Sequence, residues 1–125
     1  PQTYLGLMTR DFPNLFMITG PGSPSVLTNM YVGSQHHMDF VADAITFMRE
    51  HGYSRVEPRQ ELQDAWVTHS NEQAENLIRR QINQYMVHVN DDGSRVFIPY
   101  TGGFKQYYAR VQGEVESGFP GFEFA

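Results

Sequence analysis

Five histidines, His36, His37, His51, His69 and His88, are the first side chains in this sequence that could hold a metal or act as a general base. His36 and His37, with Asp39 close by, form the densest group. Neighbours at i and i+1 on a helix point about 100° apart, so the two imidazoles cannot close on one ion with ordinary geometry. His51, His69 and His88 have no partner at ligand spacing. Solvated or helix-capping roles are therefore expected for the histidines, and no metal site. A serine nucleophile would need the G-x-S-x-G elbow, which Gly22-Ser23-Pro24-Ser25 misses. Ser23 and Ser25 read as turn hydroxyls bonding nearby backbone, and Asp91-Asp92 as a solvated turn. With no cysteine in the chain, thiolate ligands, disulfides and thioester chemistry are excluded. No catalytic residue is assigned.

Gly20-Pro21-Gly22 raises a different possibility, because a glycine-rich turn lets another group approach the main chain closely and prolines hold it in one shape. It does not spell G-x-G-x-x-G, since position 25 is Ser. Two readings stay open from local pattern: a backbone cradle for the planar part of a large cofactor, and a structural loop at a sheet end. Phe104, Tyr107, Tyr108 and Tyr100 are likewise double-edged, as lining of a ring-binding pocket or as core. Trp66 has no claim beyond packing.

The elements that would position these groups follow from periodicity. Leu15-Phe16-Met17-Ile18-Thr19, bounded by Pro13-Asn14 and Gly20, predicts a strand buried on both faces. Gly20 to Asn29 is a shaped loop. From Gln35 a helical period appears in Met38, Val41, Ala44, Ile45 and Met48, with Gly52 as the stop after His51. Pro58 opens a second, polar helical segment with Leu62, Ala65, Trp66, His69 and Leu77, expected on the surface. Arg95 to Tyr100 reads as a strand introduced by the Asn90-Asp91-Asp92-Gly93 turn. A third helix carries Phe104, Tyr107, Tyr108, Val111 and Val115 on one side and ends near Gly118, and the Phe119–Phe124 tail alternates like a short strand. The class is α/β, with few strands and three helices. So few strands leave edges unprotected, a first hint of a larger assembly.

The 125 residues carry 9 Lys+Arg against 14 Asp+Glu, a formal net charge of −5, which removes the basic face that general nucleic-acid binding requires. Residues 1–34 hold only Arg10 and Asp11 as charges. Prolines and polar residues interrupt that apolar stretch too often for a membrane span. Neither nucleic acid nor membrane is expected as a partner, and absence of cysteine gives a cytoplasmic setting as the plain reading.

Tyr4-Leu5-Gly6-Leu7, the run from Asp11-Phe12-Pro13-Asn14-Leu15-Phe16 through Gly20-Pro21-Gly22-Ser23-Pro24 to Asn29-Met30, Gln35-His36, Asp64-Ala65-Trp66, Tyr100-x-Gly102-Gly103-Phe104 and Gly121-Phe122 together carry a resemblance over nearly the whole chain. The sequence resembles the C-terminal part of class B flavoprotein monooxygenases of the Baeyer–Villiger type, particularly the phenylacetone monooxygenase group. The resemblance implies that residues 1–125 are a C-terminal segment of a split, Rossmann-like FAD-binding domain. The NADPH domain, the N-terminal FAD fingerprint and the catalytic arginine would lie upstream. It implies FAD and NADPH as cofactors, with O2 and a small-molecule ketone as substrates. The implied product is an ester or lactone, formed through a flavin C4a-peroxide. Thr28, Asn29 and Met30 would lie against the flavin ring system, and Ser25, Val26 and Leu27 would border the substrate pocket. Alone, the fragment should be inactive and need the remainder of its own chain. Gln84 to Asn90 replaces a G-A-N-x-P-G-K stretch of other members. Two alternatives stand beside this: a flavin-dependent hydroxylase acting on nitrogen or sulfur, and a non-enzymatic module using the acidic middle region to meet a partner.

Overall fold

A computed structural model describes residues 2–24, 30–74, 87–93, 95–97, 100 and 102–125. The elements run α1 (Met30–His51), β1 (Val56–Pro58), α2 (Gln60–Ala74), β2 (Val87–Val89), β3 (Arg95–Phe97), α3 (Phe104–Glu116) and β4 (Phe122–Phe124). β1 pairs antiparallel with β4, Val56 opposite Phe124 and Pro58 opposite Phe122. β2 and β3 form an antiparallel hairpin across the Asn90–Gly93 turn. The architecture is α/β, the strands among the described residues being short and held in two separate pairs. No helix among the described residues is long and apolar enough to cross a membrane.

Helices α1 and α3 stop by the same device. Gly52 and Gly118 take φ of 72° and 78°. The N–H of the following residue reaches back to the last turn, Tyr53 to the Met48 carbonyl at 2.8 Å and Phe119 to the Glu114 carbonyl at 2.7 Å. The start of α1 differs from expectation, at Met30 rather than Gln35. Tyr31 is 89% exposed and Val32 49%, so the first turns bury little and show no apolar period.

The core gathers Tyr4, Leu5, Leu7 and Met8 of the N-terminal segment with Phe40 and Ala44 of α1, Trp66 of α2, Tyr107 and Val111 of α3, and Phe119 and Phe122 near the end. α2 is not simply a surface helix. It buries Gln63, Trp66, Ser70 and Ala74, a face rotated from the predicted one, with Ala65 exposed. Leu77 lies outside the described residues. On α3 the buried face is Tyr107, Val111 and Glu114, and Tyr108 points outward.

The strand expected over Leu15–Thr19 does not form. Leu15 and Ile18 are exposed, so the run is not buried on both faces. Asn14, at φ 64°, takes over the pairing beside β1. Its N–H donates to the Val56 carbonyl (2.9 Å), its Oδ1 accepts from the Val56 N–H (2.9 Å), and its Nδ2 donates to the Ser54 carbonyl (3.0 Å). One asparagine thus does the work of a strand neighbour and turns the chain away from the sheet. Asn14→Ala is expected to cost about 1–2 kcal/mol and to abolish hydrogen-exchange protection at the Val56 amide. Retained protection there would refute the assignment.

On the other side of the β1–β4 pair, Glu57 and Glu123 stand opposite one another, a repulsive register. Arg10 spans them, 2.6 Å from Glu123 and 3.6 Å from Glu57, with Arg55 and Arg59 adding to the network. The Arg10 hydrogen bond holds the Glu123 carboxyl below its ordinary range.

Candidate functional site: the clamped loop before α1

Four successive carbonyls of the glycine-proline loop each accept a hydrogen bond. The Gly20 carbonyl receives the Ser23 N–H (3.1 Å) and hydroxyl (2.6 Å). The Pro21 carbonyl receives the Thr3 hydroxyl at 2.5 Å, the Gly22 carbonyl receives the Trp66 indole N–H at 3.1 Å, and the Ser23 carbonyl receives the Tyr100 N–H at 2.9 Å. The Ser23 hydroxyl is the turn hydroxyl expected of it. Trp66, by contrast, does more than pack: it stacks on Tyr100 with ring centroids 4.8 Å apart and presents its N–H to the loop.

The glycines are needed for approach to the chain itself. A Cβ on Gly20 would sit 2.5 Å from the Gly6 carbonyl oxygen, and one on Gly6 would sit 2.6 Å from the Ser23 Cβ. On Gly22, at φ 85°, it would meet the Thr3 hydroxyl and the Trp66 indole nitrogen, each at 3.1 Å. Of the two readings open for Gly20-Pro21-Gly22, the contacts on the Cβ side of Gly20 and Gly22 support the structural loop, since protein already lies there. The residues expected at the flavin and pocket, Ser25, Val26, Leu27, Thr28 and Asn29, lie outside the described residues. Met30 opens α1, and its side chain lies outside them too.

The entry to the loop is held from α1. The Thr19 N–H, on a residue at φ 54°, donates to Nδ1 of His37 at 2.8 Å. Nδ1 therefore carries the lone pair and Nε2 the proton, which Nε2 donates to the Tyr107 hydroxyl at 2.6 Å. Tyr107 in turn donates to the Leu5 carbonyl at 2.6 Å. His37 and Tyr107 are each 1% exposed, and the chain of contacts opens to partial exposure only at Thr19. Burial, reinforced by neighbouring His36, pushes the His37 imidazole down to about 4, and burial drives the Tyr107 phenol up. His37 is thus a neutral, oriented imidazole.

This corrects the expectation of solvated or capping histidines. His36 is also buried, stacked on Tyr108 with centroids 4.3 Å apart, and burial lowers its pKa while Asp39 opposes. His51 fits the capping expectation, its Nδ1 2.9 Å from the Phe47 carbonyl oxygen at the exposed end of α1. His69 places Nε2 2.9 Å from the Tyr100 hydroxyl. The His88 side chain lies outside the described ones. No sequence signal marks His37 as buried beyond its place one residue after His36 and three before Phe40, which α1 turns inward. Tyr100 and Tyr107 are core, the second of the readings open for the aromatics.

A second buried polar group closes the far end. Glu114 accepts from the Tyr4 hydroxyl and from the Gly121 N–H at 2.9 Å. Burial and this carboxylate raise the Tyr4 phenol. A Cβ on Gly121 would come within 2.6 Å of both partners, so glycine is required there. On Gly102 it would fall 2.0 Å from the Tyr100 hydroxyl oxygen, which explains the Tyr-x-Gly spacing.

No family model matches the chain. It is 33% identical over 120 residues to a Baeyer–Villiger monooxygenase of Pseudooceanicola batsensis, covering 95% of this chain and 22% of that protein. With the acetone monooxygenase (methyl acetate-forming) of a Gordonia species it shares 31% identity over 123 residues, 97% of this chain and 23% of that one. Among solved structures, an oxidized steroid monooxygenase bound to NADP matches with TM-score 0.89 and 40% identity over 99% of this chain and 23% of its own. OTEMO in complex with FAD and NADP matches with TM-score 0.90 and 27% identity over 100% of this chain and 23% of its own. The chain therefore spans under a quarter of the length of the relatives it matches.

Proposed function

We propose that this chain, homologous along its length to one segment of the Baeyer–Villiger type of class B flavoprotein monooxygenases, serves as the C-terminal segment of an FAD-binding domain in an enzyme of that kind. The observation that carries the reading is the 40% identity and TM-score of 0.89 to steroid monooxygenase over 99% of the chain. The complete protein uses FAD and NADPH to convert a ketone and O2 to an ester or lactone and water, NADPH supplying the two electrons that reduce the second oxygen atom, in the cytoplasm. Bound flavin, reduced by NADPH, supplies the activation of O2.

The part of this chain is to position and to exclude water. Thr28, Asn29 and Met30 lie against the flavin ring, and Ser25, Val26 and Leu27 border the ketone. The clamp on Gly20–Ser23 delivers the chain to that border in one conformation. Apart from Arg10 and Asp11 the first 34 residues carry no charge, which suits an apolar, water-excluding wall. The described residues provide the frame and leave phosphate binding to other parts of the protein. Tyr31, Met38 and Ile45, exposed at seven-residue spacing along α1, form an apolar stripe of the kind that a larger assembly covers.

The test uses the complete gene product. It should purify with FAD, and ketone should accelerate its NADPH consumption with an ester or lactone as product. Substitutions at Met30 or in Ser25–Leu27 should change selectivity across a ketone panel about tenfold while leaving FAD content unchanged. A protein without flavin, or one turning over only amines or sulfides, overturns the reading, and unchanged selectivity in the variants overturns the placement of those residues.

A further inference from the structure

We infer that Trp66, Tyr100 and His69 form a relay that moves an oxidising equivalent out of the core, an electron passing from Tyr100 to oxidised Trp66 and the phenolic proton of Tyr100 passing to His69. The inference goes beyond the reading above and does not depend on it, since it needs neither flavin nor ketone.

An indole gives up an electron more readily than a phenol that keeps its proton, so a diffusible one-electron radical oxidant reaching this part of the fold draws on Trp66. The ring is buried, but Arg110, which lies over its face, is exposed. The indole therefore sits one side chain below the surface. Once oxidised, it has no means of settling. Its N–H is held on the Gly22 carbonyl, which is not a base and cannot take the proton, so the positive charge stays on the ring. The Arg110 guanidinium, 5.6 Å above, repels that charge. Both features make oxidised Trp66 a strong oxidant of its neighbour.

That neighbour is Tyr100, stacked on it with centroids 4.8 Å apart. Burial raises the Tyr100 phenol, so the ring starts protonated and yields an electron readily only if the proton leaves as well. The hydroxyl lies 2.9 Å from His69 Nε2 and 3.4 Å from Gln106 Oε1, so it donates to the nearer acceptor, an imidazole base. One electron moves to Trp66 and restores the neutral indole. One proton moves to His69 and leaves a neutral tyrosyl radical beside an imidazolium. The positive charge has passed from a buried ring to the partly exposed His69, where water can solvate it. A thiol or ascorbate-type reductant from solvent returns the electron to Tyr100, and His69 returns the proton.

The other buried phenols lack this combination. Tyr107 lies 6.1 Å from the Trp66 ring, but its proton sits on the Leu5 carbonyl, which is no base. Tyr4 has a carboxylate partner in Glu114, but its ring packs on Phe122, which is too hard to oxidise to hand on an electron vacancy.

The experiment uses the complete protein and the azidyl radical, a one-electron oxidant that selects indoles, made by pulse radiolysis. Tryptophan and tyrosine radicals absorb in separate bands and are followed in time. In the wild type, part of the tryptophan signal should convert to tyrosyl signal at a rate independent of protein concentration. Y100F keeps the ring and the backbone N–H that holds Ser23, and should lose that part of the conversion. H69Q keeps a hydrogen-bond acceptor for the phenol but no base, and should slow the conversion by at least about a hundredfold. A tyrosyl signal in Y100F equal to that of the wild type overturns the proposal, and so does conversion in H69Q at the wild-type rate. An undiminished tyrosyl signal in W66F places the source of the electron vacancy elsewhere and overturns it too. None of these readouts needs bound flavin or turnover. A protein that binds no flavin would overturn the functional reading, and the radical kinetics would still decide the relay.

Discussion

Replacing Trp66 with alanine is expected to cost about 3–5 kcal/mol and to release the Gly20–Ser23 loop. The ring is 2% exposed. It stacks on Tyr100 at 4.8 Å, lies 6.1 Å from the Tyr107 ring, and carries the Arg110 guanidinium 5.6 Å above its face. Truncation leaves a cavity where α2, α3 and Tyr100 meet, and it strips the Gly22 carbonyl of its donor. Trp66→Phe separates the two losses. It keeps a six-membered ring in the packing while removing the indole N–H and the remainder of the bicycle, so a smaller loss of about 1–3 kcal/mol is expected. The measurement is native-state hydrogen exchange at the Tyr100 amide, whose bond to the Ser23 carbonyl opens when the loop lets go. A phenylalanine variant as damaging as the alanine one would contradict the ring-packing account. An alanine variant within experimental error of the wild type would remove Trp66 from the clamp altogether.

The legibility of this fold divides by physical cause. Elements whose signals are local were readable: the stop of α1 at Gly52 and of α3 at Gly118, the Asn90–Gly93 hairpin turn, and the alternating tail that becomes β4. Each depends on a glycine or a period within a few residues. What could not be read depends on partners far along the chain. β1 is three residues long and contains a proline, so it has no period to detect, and it exists because Phe122–Phe124 comes back beside it. The apolar run Leu15–Thr19 has the composition of a buried strand. Its fate is decided by Asn14 against Ser54 and Val56, about forty positions away.

The same division runs through the site. Ser23 was legible because its hydroxyl bonds three residues back. Trp66 and Gly22 are 44 positions apart, His37 and Tyr107 are 70, and Tyr4 and Glu114 are 110. Nothing in spacing joins such pairs. The long motif, by contrast, was recognisable as a resemblance, and the geometry accounts for several of its glycines. Gly6 and Gly20 pass too close for side chains, Gly102 lies under the Tyr100 hydroxyl, and Gly121 lies against Tyr4 and Glu114. Part of what the motif preserves is thus the chain's fit to itself.

Acidification from neutral pH should destabilise this segment through His37. The imidazole has an ordinary value of 6.5 and is pushed down to about 4 in the fold. Between those values the unfolded chain binds a proton that the folded chain refuses, so stability is complete above about pH 6.5, falls as pH drops towards 4, and levels off below. The full span corresponds to about 3 kcal/mol. His36, also lowered by burial, adds to the loss with the same sign, while Asp39 moderates it. Tyr107, which faces these rings from α3 and whose phenol burial drives up, stays uncharged throughout the window. Protonating Nδ1 of His37 would set two donors against each other, the ring N–H and the Thr19 N–H, and the loop entry should open at that point first. Denaturant titrations between pH 7 and pH 4, paired with exchange of the Thr19 amide, should show wild-type stability declining over this window. In H37N the decline should be shallower by the His37 share. Parallel pH profiles for the two proteins would mean that the buried imidazole is not the group that senses acid.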